Sequence, residues 1–467
     1  MEFMSMEDGM SQGMGVLQPT LFTSDELIEV AAFCEENKVP FIFQILHYRT
    51  PFLSLKTIEG MLKAAPNMCK GFAFSETWPS AEIFKNEILE YLEGVLKLSK
   101  KYGEKKVIFH AHRNRFHYRF MVDPDYFKLL AKDYPNMFIP MLKPNNSPGT
   151  DMGIAGTTGL WRSDIITDWG FSSQIGNWRW RGIEREHLVP WDVLMRQELV
   201  AASLGAKYFR IERPEMYLNV QRDKNDDNRV TDISVYEDQV KARDLFYALL
   251  NKGIIQQARA KEHKSFSSVV FHEHFELENN EISHEKGGLY MERYGLQTVL
   301  PAYPPGYIYG SFGEPNRYTR GIMRDNPLGV MSIIPEGVSI DRTPGVNLAW
   351  KTDGINVEYN GKIESALKVR EPILESFELE SKSLPFRAEN IWLSAVQWDK
   401  DQYVLYAIDP GYFEAWGSDE YVQANLPWNG FTVTDRITGE NLEVHNQRFK
   451  VSIPAGAFRI LEVRRSN

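Results

Sequence analysis

Short continuous apolar runs alternate with amphipathic helical patterns along most of this sequence, and this alternation limits the possible folds more than any other feature. Strands buried on both faces appear as such runs, and in parallel sheets helices separate them. The sequence contains seven such runs, or eight if residues 154–160 contribute one. That number favours an α/β fold of the TIM-like (β/α)8 barrel type. The runs lie at residues 40–46, 71–74, 107–110, 137–142, 207–211, 267–271 and 328–335.

The helical patterns between these runs have recognisable starts and ends. The first begins at Ser24, where a capping residue precedes two acids, and several later ones end at a glycine such as Gly103. The others occupy residues 55–64, 80–102, 125–133, 189–204 and 236–252. The stretch 144–182 is rich in Gly, Trp, Ser and Asp, so we predict one short element with long loops there.

The texture of the sequence changes after about residue 380. Helical patterns give way to segments that alternate polar and apolar residues, separated by turns, which predicts an antiparallel β-sandwich. The segments lie at residues 403–408, 430–434, 448–453 and 458–463. We therefore expect a barrel domain over residues 21–380 and a sandwich domain over 381–467. Residues 1–20 are rich in Met and Gly and predict a tag or a disordered leader.

Composition narrows the classes of function. Apolar residues make up 43% and charged residues 25% of the 467 residues, as in a folded globular protein. The net charge of −10 argues against a nucleic-acid partner, which requires a basic surface. No apolar stretch of about 20 residues predicts a membrane span. Two cysteines, Cys34 and Cys69, do not indicate a compartment, and the sequence leaves the oligomeric state open.

The active site of a parallel barrel lies at the carboxyl ends of its strands, so polar residues that follow a strand are the first candidates. Glu76 directly follows the run 71–74 and stands two residues before Trp78. An aromatic wall desolvates a carboxyl group and raises its pKa, which suits a general acid. The alternative is a capping cluster at the start of the next helix.

Two further acids, Glu212 and Glu215, follow the run 207–211, with Arg210 and Arg213 nearby. They are candidates for a catalytic carboxylate. An ion-pair network at the barrel rim is the structural alternative. Pro214 interrupts the chain just before Glu215 and favours that residue of the two.

A third group combines acids with tryptophans. Asp164 and Asp168 are followed by Trp178 and Trp180 in a glycine-rich stretch. Carboxylates bind sugar hydroxyls and indole rings stack on pyranose faces, so the group predicts a sugar subsite. A loop held in place by buried tryptophans is the alternative.

Two His-x-His segments indicate a different class of enzyme. His110 and His112, and likewise His272 and His274, are spaced so that both rings of a pair lie on one face of a strand and chelate a metal. With a carboxylate from Asp168 or Glu215, such a pair makes a metal-dependent barrel hydrolase. Histidines that bind substrate or structural partners explain the segments better, so we predict neither a metal nor a cofactor.

The order of several segments resembles the catalytic barrel of glycoside hydrolase family 98. The resemblance covers about residues 24–340, and the carboxyl-terminal sandwich agrees with the architecture of that family. It rests on the segments 66–67, 70–78, 96–103, 168–170, 178–180, 211–215, 288–290 and 329–335. The first strand of the family has no clear counterpart in this sequence.

This resemblance implies an endo-acting hydrolase that cleaves a β-1,4 glycosidic bond with inversion. Glu76 matches the general acid and Asp168 the base, with Asp164 as an alternative base, and Glu215 helps to hold the water. Where the family tends to have Asp-Gly-Pro-Glu, this chain has Arg213 in place of the glycine, which leaves the substrate open. The expected substrate is an oligo- or polysaccharide, either a decorated xylan or a blood-group-type galactoside.

The remaining expectations concern binding, location and rival functions. We expect sugar contacts from Trp78, His110, Asn145, Trp178 and Trp180. A polysaccharide substrate implies a secreted or cell-surface protein whose signal peptide is not part of this sequence. The rival functions are the metal-dependent hydrolase and a glycan-binding barrel without catalytic activity.

Overall fold

A computed structural model gives the structure of the protein. It describes residues 2–3, 5–7, 20–47, 50–77, 82–111, 121, 123–142, 150–173, 191–211, 217–223, 230–257, 259–274, 326–352, 356–366, 368–410 and 417–466.

Strands and helices alternate through the amino-terminal half of the chain, as the sequence predicts. The strands are β1 (Glu2–Phe3), β2 (Ser5–Glu7), β3 (Thr20–Phe22), β4 (Phe41–His47), β5 (Thr50–Pro51), β6 (Cys69–Thr77), β7 (Lys106–Ala111), β8 (Phe138–Leu142), β9 (Gly170–Ser173) and β10 (Tyr208–Ile211). The helices are α1 (Ser24–Glu36), α2 (Leu55–Ala64), α3 (Glu82–Lys101), α4 (Pro124–Phe127, continued by a π-helical turn over Lys128–Asp133), α5 (Thr150–Arg162) and α6 (Trp191–Ser203).

The largest sheet is built from seven parallel strands in the order β1-β4-β6-β7-β8-β9-β10, with β5 antiparallel at the end of β4. The prediction of a parallel α/β sheet is therefore confirmed. Apolar side chains are packed on both faces of this sheet, as is usual for parallel sheets. Phe72 and Phe74 belong to the main core, which also contains residues of the surrounding helices.

The opposite face of the sheet carries a smaller group, here called the apolar inner cluster. Its members are Ile42, Ala73, Ile108, Ile139, Met141 and Tyr208. Ile42 on β4 and Tyr208 on β10 pack against the same cluster although four strands lie between them. The sheet is therefore curled, with this cluster inside the curl as in the wall of a barrel.

Part of the predicted leader forms strands: residues 2–3 join this sheet, and residues 5–7 pair with β3 in a separate two-stranded sheet. Glu2 and Phe3 pair in parallel with Ile42 and Phe43 of β4 and supply the first strand that the sequence does not reveal. Glu7 accepts a hydrogen bond of 2.7 Å from the backbone N–H of Ser54. Backbone pairing at an exposed strand edge needs no apolar pattern, which is why periodicity does not predict it.

The stretch 144–182 also differs from prediction, because it contains the thirteen-residue helix α5 and the strand β9 in place of one short element. A strand of four residues is too short to give a periodic signal.

The middle of the chain adds a hairpin and a second sheet. Its elements are β11 (Leu218–Arg222), β12 (Val230–Val235), α7 (Glu237–Asn251), a 3-10 turn (Ala260–Glu262), β13 (Val269–Glu273), β14 (Ile333–Ile334), a 3-10 turn (Ile340–Arg342), β15 (Leu348–Thr352), β16 (Asn356–Tyr359), β17 (Lys362–Ser365) and α8 (Arg370–Ser381). Strands β13 to β17 form a mixed sheet in the order β14-β13-β15-β16-β17.

The parallel sheet of the predicted eight-stranded barrel is present, but its closure into a full barrel stays a prediction. The runs at 267–271 and 328–335 form β13 and β14, and in the described part of the chain no ladder joins them to the large parallel sheet. Helix α5 instead packs on β14, and a Cβ added at Gly159 would overlap the carbonyl oxygen of Ile333.

The carboxyl-terminal region forms two antiparallel sheets, as predicted. Its strands are β18 (Phe386–Arg387), β19 (Trp392–Asp399), β20 (Gln402–Ile408), β21 (Ser418–Ala424), β22 (Phe431–Asp435), β23 (Asn441–Leu442), β24 (Val444–His445), β25 (Arg448–Ile453) and β26 (Phe458–Arg465). The sheet orders are β18-β21-β25-β24 and β19-β20-β26-β22-β23, and residues of both fill one apolar core. The boundary at residue 380 stays a prediction.

Within the described residues, each helix is either too short or too polar to span a bilayer.

Candidate active site

Glu76 lies at the carboxyl end of β6, the position that the sequence predicts. Ser75 pairs with His110 and Thr77 with Ala111, so Glu76 is the extra residue of a β-bulge in this ladder. Bulges redirect the side chains near them and are common beside active sites. The backbone geometry therefore marks Glu76 as a special position at the rim of the sheet.

Polar residues follow the apolar inner cluster along several strands. Gln44 stands two residues after Ile42, Ser75 two after Ala73, and Arg210 two after Tyr208. Side chains two apart on a strand share a face, so these three point into the curl of the sheet. Each lies one step nearer the carboxyl end of its strand than the inner cluster does.

Ser172 on β9 belongs to the same set. Gly170 precedes it by two residues, and a Cβ at Gly170 would overlap Met141 of the inner cluster, so this face of β9 also points inward. Ser172 pairs with Arg210 in the β9–β10 ladder. We call Gln44, Ser75, Ser172 and Arg210 the inner polar layer. It lies between the apolar inner cluster and the rim at which Glu76 stands.

Two members of this layer are buried without a hydrogen-bond partner among the described residues. Gln44 is 3% exposed, and its Nε2 makes no hydrogen bond to the described residues. Ser172 is 0% exposed, and its Oγ makes none to them either. Buried polar atoms in folded proteins are nearly always hydrogen-bonded. These two atoms are therefore free to bond a group that enters the curl of the sheet.

Asp168, the expected base, lies near the amino end of a strand. Helix α5 ends at Arg162 and β9 begins at Gly170, so Asp164 and Asp168 connect a helix to the amino end of a strand. Neither acid follows a strand, because α5 and the short β9 lie where the sequence indicates loops. Asp164 is exposed and has a φ of 55°, which suits the residue that ends a helix.

Asp168 makes an ion pair at this amino edge of the sheet. Its Oδ1 lies 2.6 Å from Nζ of Lys207, which directly precedes β10, and the side chains are 17% and 36% exposed. The backbone N–H of Lys207 donates to the carbonyl of Trp169 over 3.0 Å and fixes the two loops side by side. Tyr208 follows, and burial together with the Asp168 charge raises the pKa of its phenol.

Several predicted site residues cannot be located in this geometry. Glu76 and His110 are described by their backbones only. The other predicted residues lie outside the described residues: His112, Trp78, Asn145, Trp178, Trp180, Glu212, Arg213 and Glu215. In the sequence, Glu215 follows the carboxyl end of β10 by four residues.

The pair His272 and His274 lies on β13 and just after it, on a different sheet from Glu76. Nε2 of His272 lies 3.2 Å from the carbonyl oxygen of Val338, and burial, followed by the His274 charge, lowers the pKa of His272 to about 4. Nδ1 of His274 lies 3.7 Å from Oε1 of Glu336. The two rings meet edge to face at 4.5 Å.

Within the part of the chain that the structure describes, no group of three or more His, Cys, Asp or Glu side chains is arranged to hold a metal ion. His272 and His274 therefore lack the third ligand of a metal site among those residues. His110 and His112 fall where side chains are not described.

Sequence patterns alone do not single out Gln44 and Ser172. Each is one polar residue within a short buried strand, and such residues usually satisfy local hydrogen bonds. The signal that would have found them is the period of two within each strand, which places them on one face with Ser75 and Arg210 once the strands are aligned.

Comparison with known proteins gives a likeness in structure. No protein-family model matches the sequence, and no curated protein matches it significantly. Among solved structures, the catalytic module of a family 98 glycoside hydrolase from Streptococcus pneumoniae TIGR4 in its native form matches with a TM-score of 0.54 at 10% identity. The match covers 94% of this chain and 87% of that one. The chain has the fold of a family 98 catalytic module.

The same module bound to the H-disaccharide blood group antigen matches over the same shares of both chains, with a TM-score of 0.52 and 11% identity. Its complex with the LewisY pentasaccharide antigen gives a TM-score of 0.52 at 9% identity. At such identities the likeness concerns the fold, and the chemistry has to be argued from the residues of this chain.

Proposed function

We propose that the protein is a glycoside hydrolase whose active site lies at the carboxyl rim of the parallel sheet, around Glu76. The observation that supports this most directly is the bulge at Glu76 beside the inner polar layer, in a chain with the fold of family 98 catalytic modules. Carboxylate and hydroxyl-binding groups at one sheet edge are what glycosidic hydrolysis needs.

Glu76 is the proposed general acid, which donates its proton to the oxygen of the leaving sugar. In the inverting mechanism a second carboxylate activates a water on the other face of the ring, about 6.5–9.5 Å from the acid. We assign that role to Glu215. In the sequence it comes four residues after β10, whose carboxyl end lies at the same edge of the sheet as that of β6, whereas Asp168 precedes β9 and is paired with Lys207.

The proposed substrate is a decorated glycan with a β-1,4 bond, cleaved within the chain. The solved structures that share the fold bind blood-group antigens, which supports a blood-group-type galactoside. A branched xylan is the second candidate, because its pyranose rings and β-1,4 links present nearly the same hydroxyl groups to an active site.

The test is release of reducing ends from branched xylan and from blood-group glycans by the wild type and by Glu76→Gln. We expect one glycan to be cleaved and the variant to lose about 10²–10⁴-fold in kcat, the usual contribution of a general acid. Nuclear magnetic resonance of the fresh product reports inversion or retention. An unchanged rate in Glu76→Gln on a glycan that the wild type cleaves contradicts the assignment.

The same assay separates the two rival functions. Activity that EDTA removes and Zn²⁺ restores would favour the metal-dependent hydrolase. Saturable binding of either glycan without any release of reducing ends would favour a glycan-binding protein.

A further inference from the structure

Gln44 and Ser172 bury polar atoms one layer below the carboxyl rim of the parallel sheet. Nε2 of Gln44 and Oγ of Ser172 find no hydrogen bond among the described residues. A buried donor or acceptor without a partner opposes folding, and departures of this kind from the usual rules of folding are expected at functional or strained sites.

The layer faces the interior of the curled sheet. Gln44 and Ser172 lie on β4 and β9, which are separated by three other strands, yet both share a face with the apolar inner cluster that closes the curl beneath them. Both side chains therefore face the interior of the curl, on the side of the apolar inner cluster that is nearer the carboxyl rim.

The chemistry of the layer selects the class of ligand. Gln44 offers amide donors and an acceptor, Ser75 and Ser172 offer hydroxyls that donate and accept, and Arg210 adds a guanidinium with donors only. Three neutral groups of mixed donor and acceptor character suit a neutral ligand whose hydroxyls also do both. A pyranose ring has such hydroxyls around its whole edge, and its apolar face fits against the inner cluster.

We propose that Gln44 and Ser172 are substrate-binding residues that hydrogen-bond the hydroxyl groups of the sugar held beside Glu76. This assignment rests on the proposed function and deepens it, because it names the residues that set how far the reacting sugar enters the curled sheet.

The test compares Gln44→Met and Ser172→Ala with the control Ser99→Ala. Ser99 on α3 is also fully buried, and its Oγ likewise lacks a partner among the described residues, but it lies on a helix outside the curl. The variants are measured in the full-length protein by thermal unfolding and by kinetics on the glycan that the wild type cleaves.

We expect the Tm of Gln44→Met and Ser172→Ala to equal or exceed the wild-type Tm by up to about 2 °C, because each replaces an unsatisfied polar group by an apolar one. Their kcat/KM is expected to fall about tenfold or more, mainly through KM, as for loss of a hydrogen bond to substrate. Ser99→Ala is expected to keep its kcat/KM. A Tm about 4 °C below wild type in both variants would mean that protein groups satisfy these atoms, and would overturn the proposal.

An unchanged kcat/KM in both variants would overturn it as well. If the wild type cleaves neither glycan, the proposed function fails separately. The layer is then judged by the rise in Tm that the H-disaccharide or xylotetraose produces in the wild type and in Ser172→Ala. A rise confined to the wild type supports the assignment, whereas no rise in the wild type refutes it.

Discussion

Asp168 shows how the end of the strand at which an acidic residue stands limits the part it can play. The resemblance to family 98 makes Asp168 the expected base, with Glu215 helping to hold the water. The structure gives Asp168 a cation at 2.6 Å and a place before β9, at the amino edge of the sheet. Active sites of parallel sheets lie at the carboxyl edge, where β6 carries Glu76, and in the sequence Glu215 comes four residues after β10.

We therefore expect Asp168→Asn to change stability more than catalysis. The substitution breaks a partly exposed ion pair, which is worth about 1 kcal/mol or less, so Tm should fall by about 1–2 °C while kcat/KM stays within about threefold of wild type. Glu215→Gln should instead lower kcat by about 10²-fold or more without a comparable loss of Tm. The opposite pattern, with Asp168→Asn inactive and Glu215→Gln active, would restore Asp168 as the base.

His272 should make the protein sensitive to acid. Its folded-state pKa of about 4 lies below the ordinary value of 6.5, because burial disfavours the charged ring. The unfolded chain thus takes up a proton between pH 6.5 and pH 4 that the folded chain does not, so this residue opposes folding increasingly as pH falls through that window and not above it. The effect is about 1 kcal/mol per pH unit near pH 5.5.

The measurement is Tm as a function of pH from 7.5 to 4.5, in buffers of equal ionic strength. His272→Gln keeps a donor for the Val338 carbonyl and is expected to flatten the acid limb of the curve. His445→Gln replaces an exposed ring beside Glu443 and serves as the matched control. Equal acid slopes in the wild type and His272→Gln would show that His272 titrates alike in both states.

At the scale of elements, the long and strongly patterned segments could be predicted and the short ones could not. Strands β4, β6 and β7 are continuous apolar runs, and α3 has twenty residues of amphipathic pattern, so both types appear close to their predicted bounds. Strand β9 has four residues, and β1 has two and relies on the backbone of β4. The proposed site follows the same rule: Glu76 stands near the end of a clear strand, whereas the inward direction of Gln44 and Ser172 is visible only when the neighbouring strands are aligned.

The contact between α5 and β14 leads to a prediction about glycines. A Cβ at Gly159 would overlap the backbone carbonyl of Ile333, which cannot move without displacing β14. At Gly94 on α3 the corresponding obstacle is the end of the Leu55 side chain, which can rotate away. Gly159→Ala should therefore lower Tm by several degrees, whereas Gly94→Ala should be neutral or raise it, because alanine favours helix by about 1 kcal/mol.

Thermal unfolding followed by circular dichroism at 222 nm tests this pair. Equal Tm values for the two alanine variants would show that α5 does not pack on β14 as closely as the structure has it.

At the scale of the whole molecule, the sandwich is joined to the parallel sheet by buried contacts. Arg196 on α6 is 0% exposed and donates to the backbone carbonyl of Asp409 over 2.9 Å. Ser394 donates to the carbonyl of Ser203 over 3.0 Å, and Trp392 and Tyr406 belong to the same apolar core as the sheet and its helices. A shared core couples two regions more tightly than a polar interface does, because neither can unfold without exposing the other.

Arg196→Met in the full-length protein tests that coupling. The change leaves a buried carbonyl without its charged donor, which costs about 2–3 kcal/mol, and its effect should reach both regions because they share one core. Differential scanning calorimetry should show one transition in the wild type and one in the variant, shifted down by several degrees, with near-UV signals from both regions lost together. If the sandwich folded independently, the variant would show two transitions, of which the sandwich transition would keep its wild-type temperature. The protein would then consist of two domains divided near residue 380. The packing of Trp392 and Tyr406 against the core of the sheet would then not make the two regions unfold together.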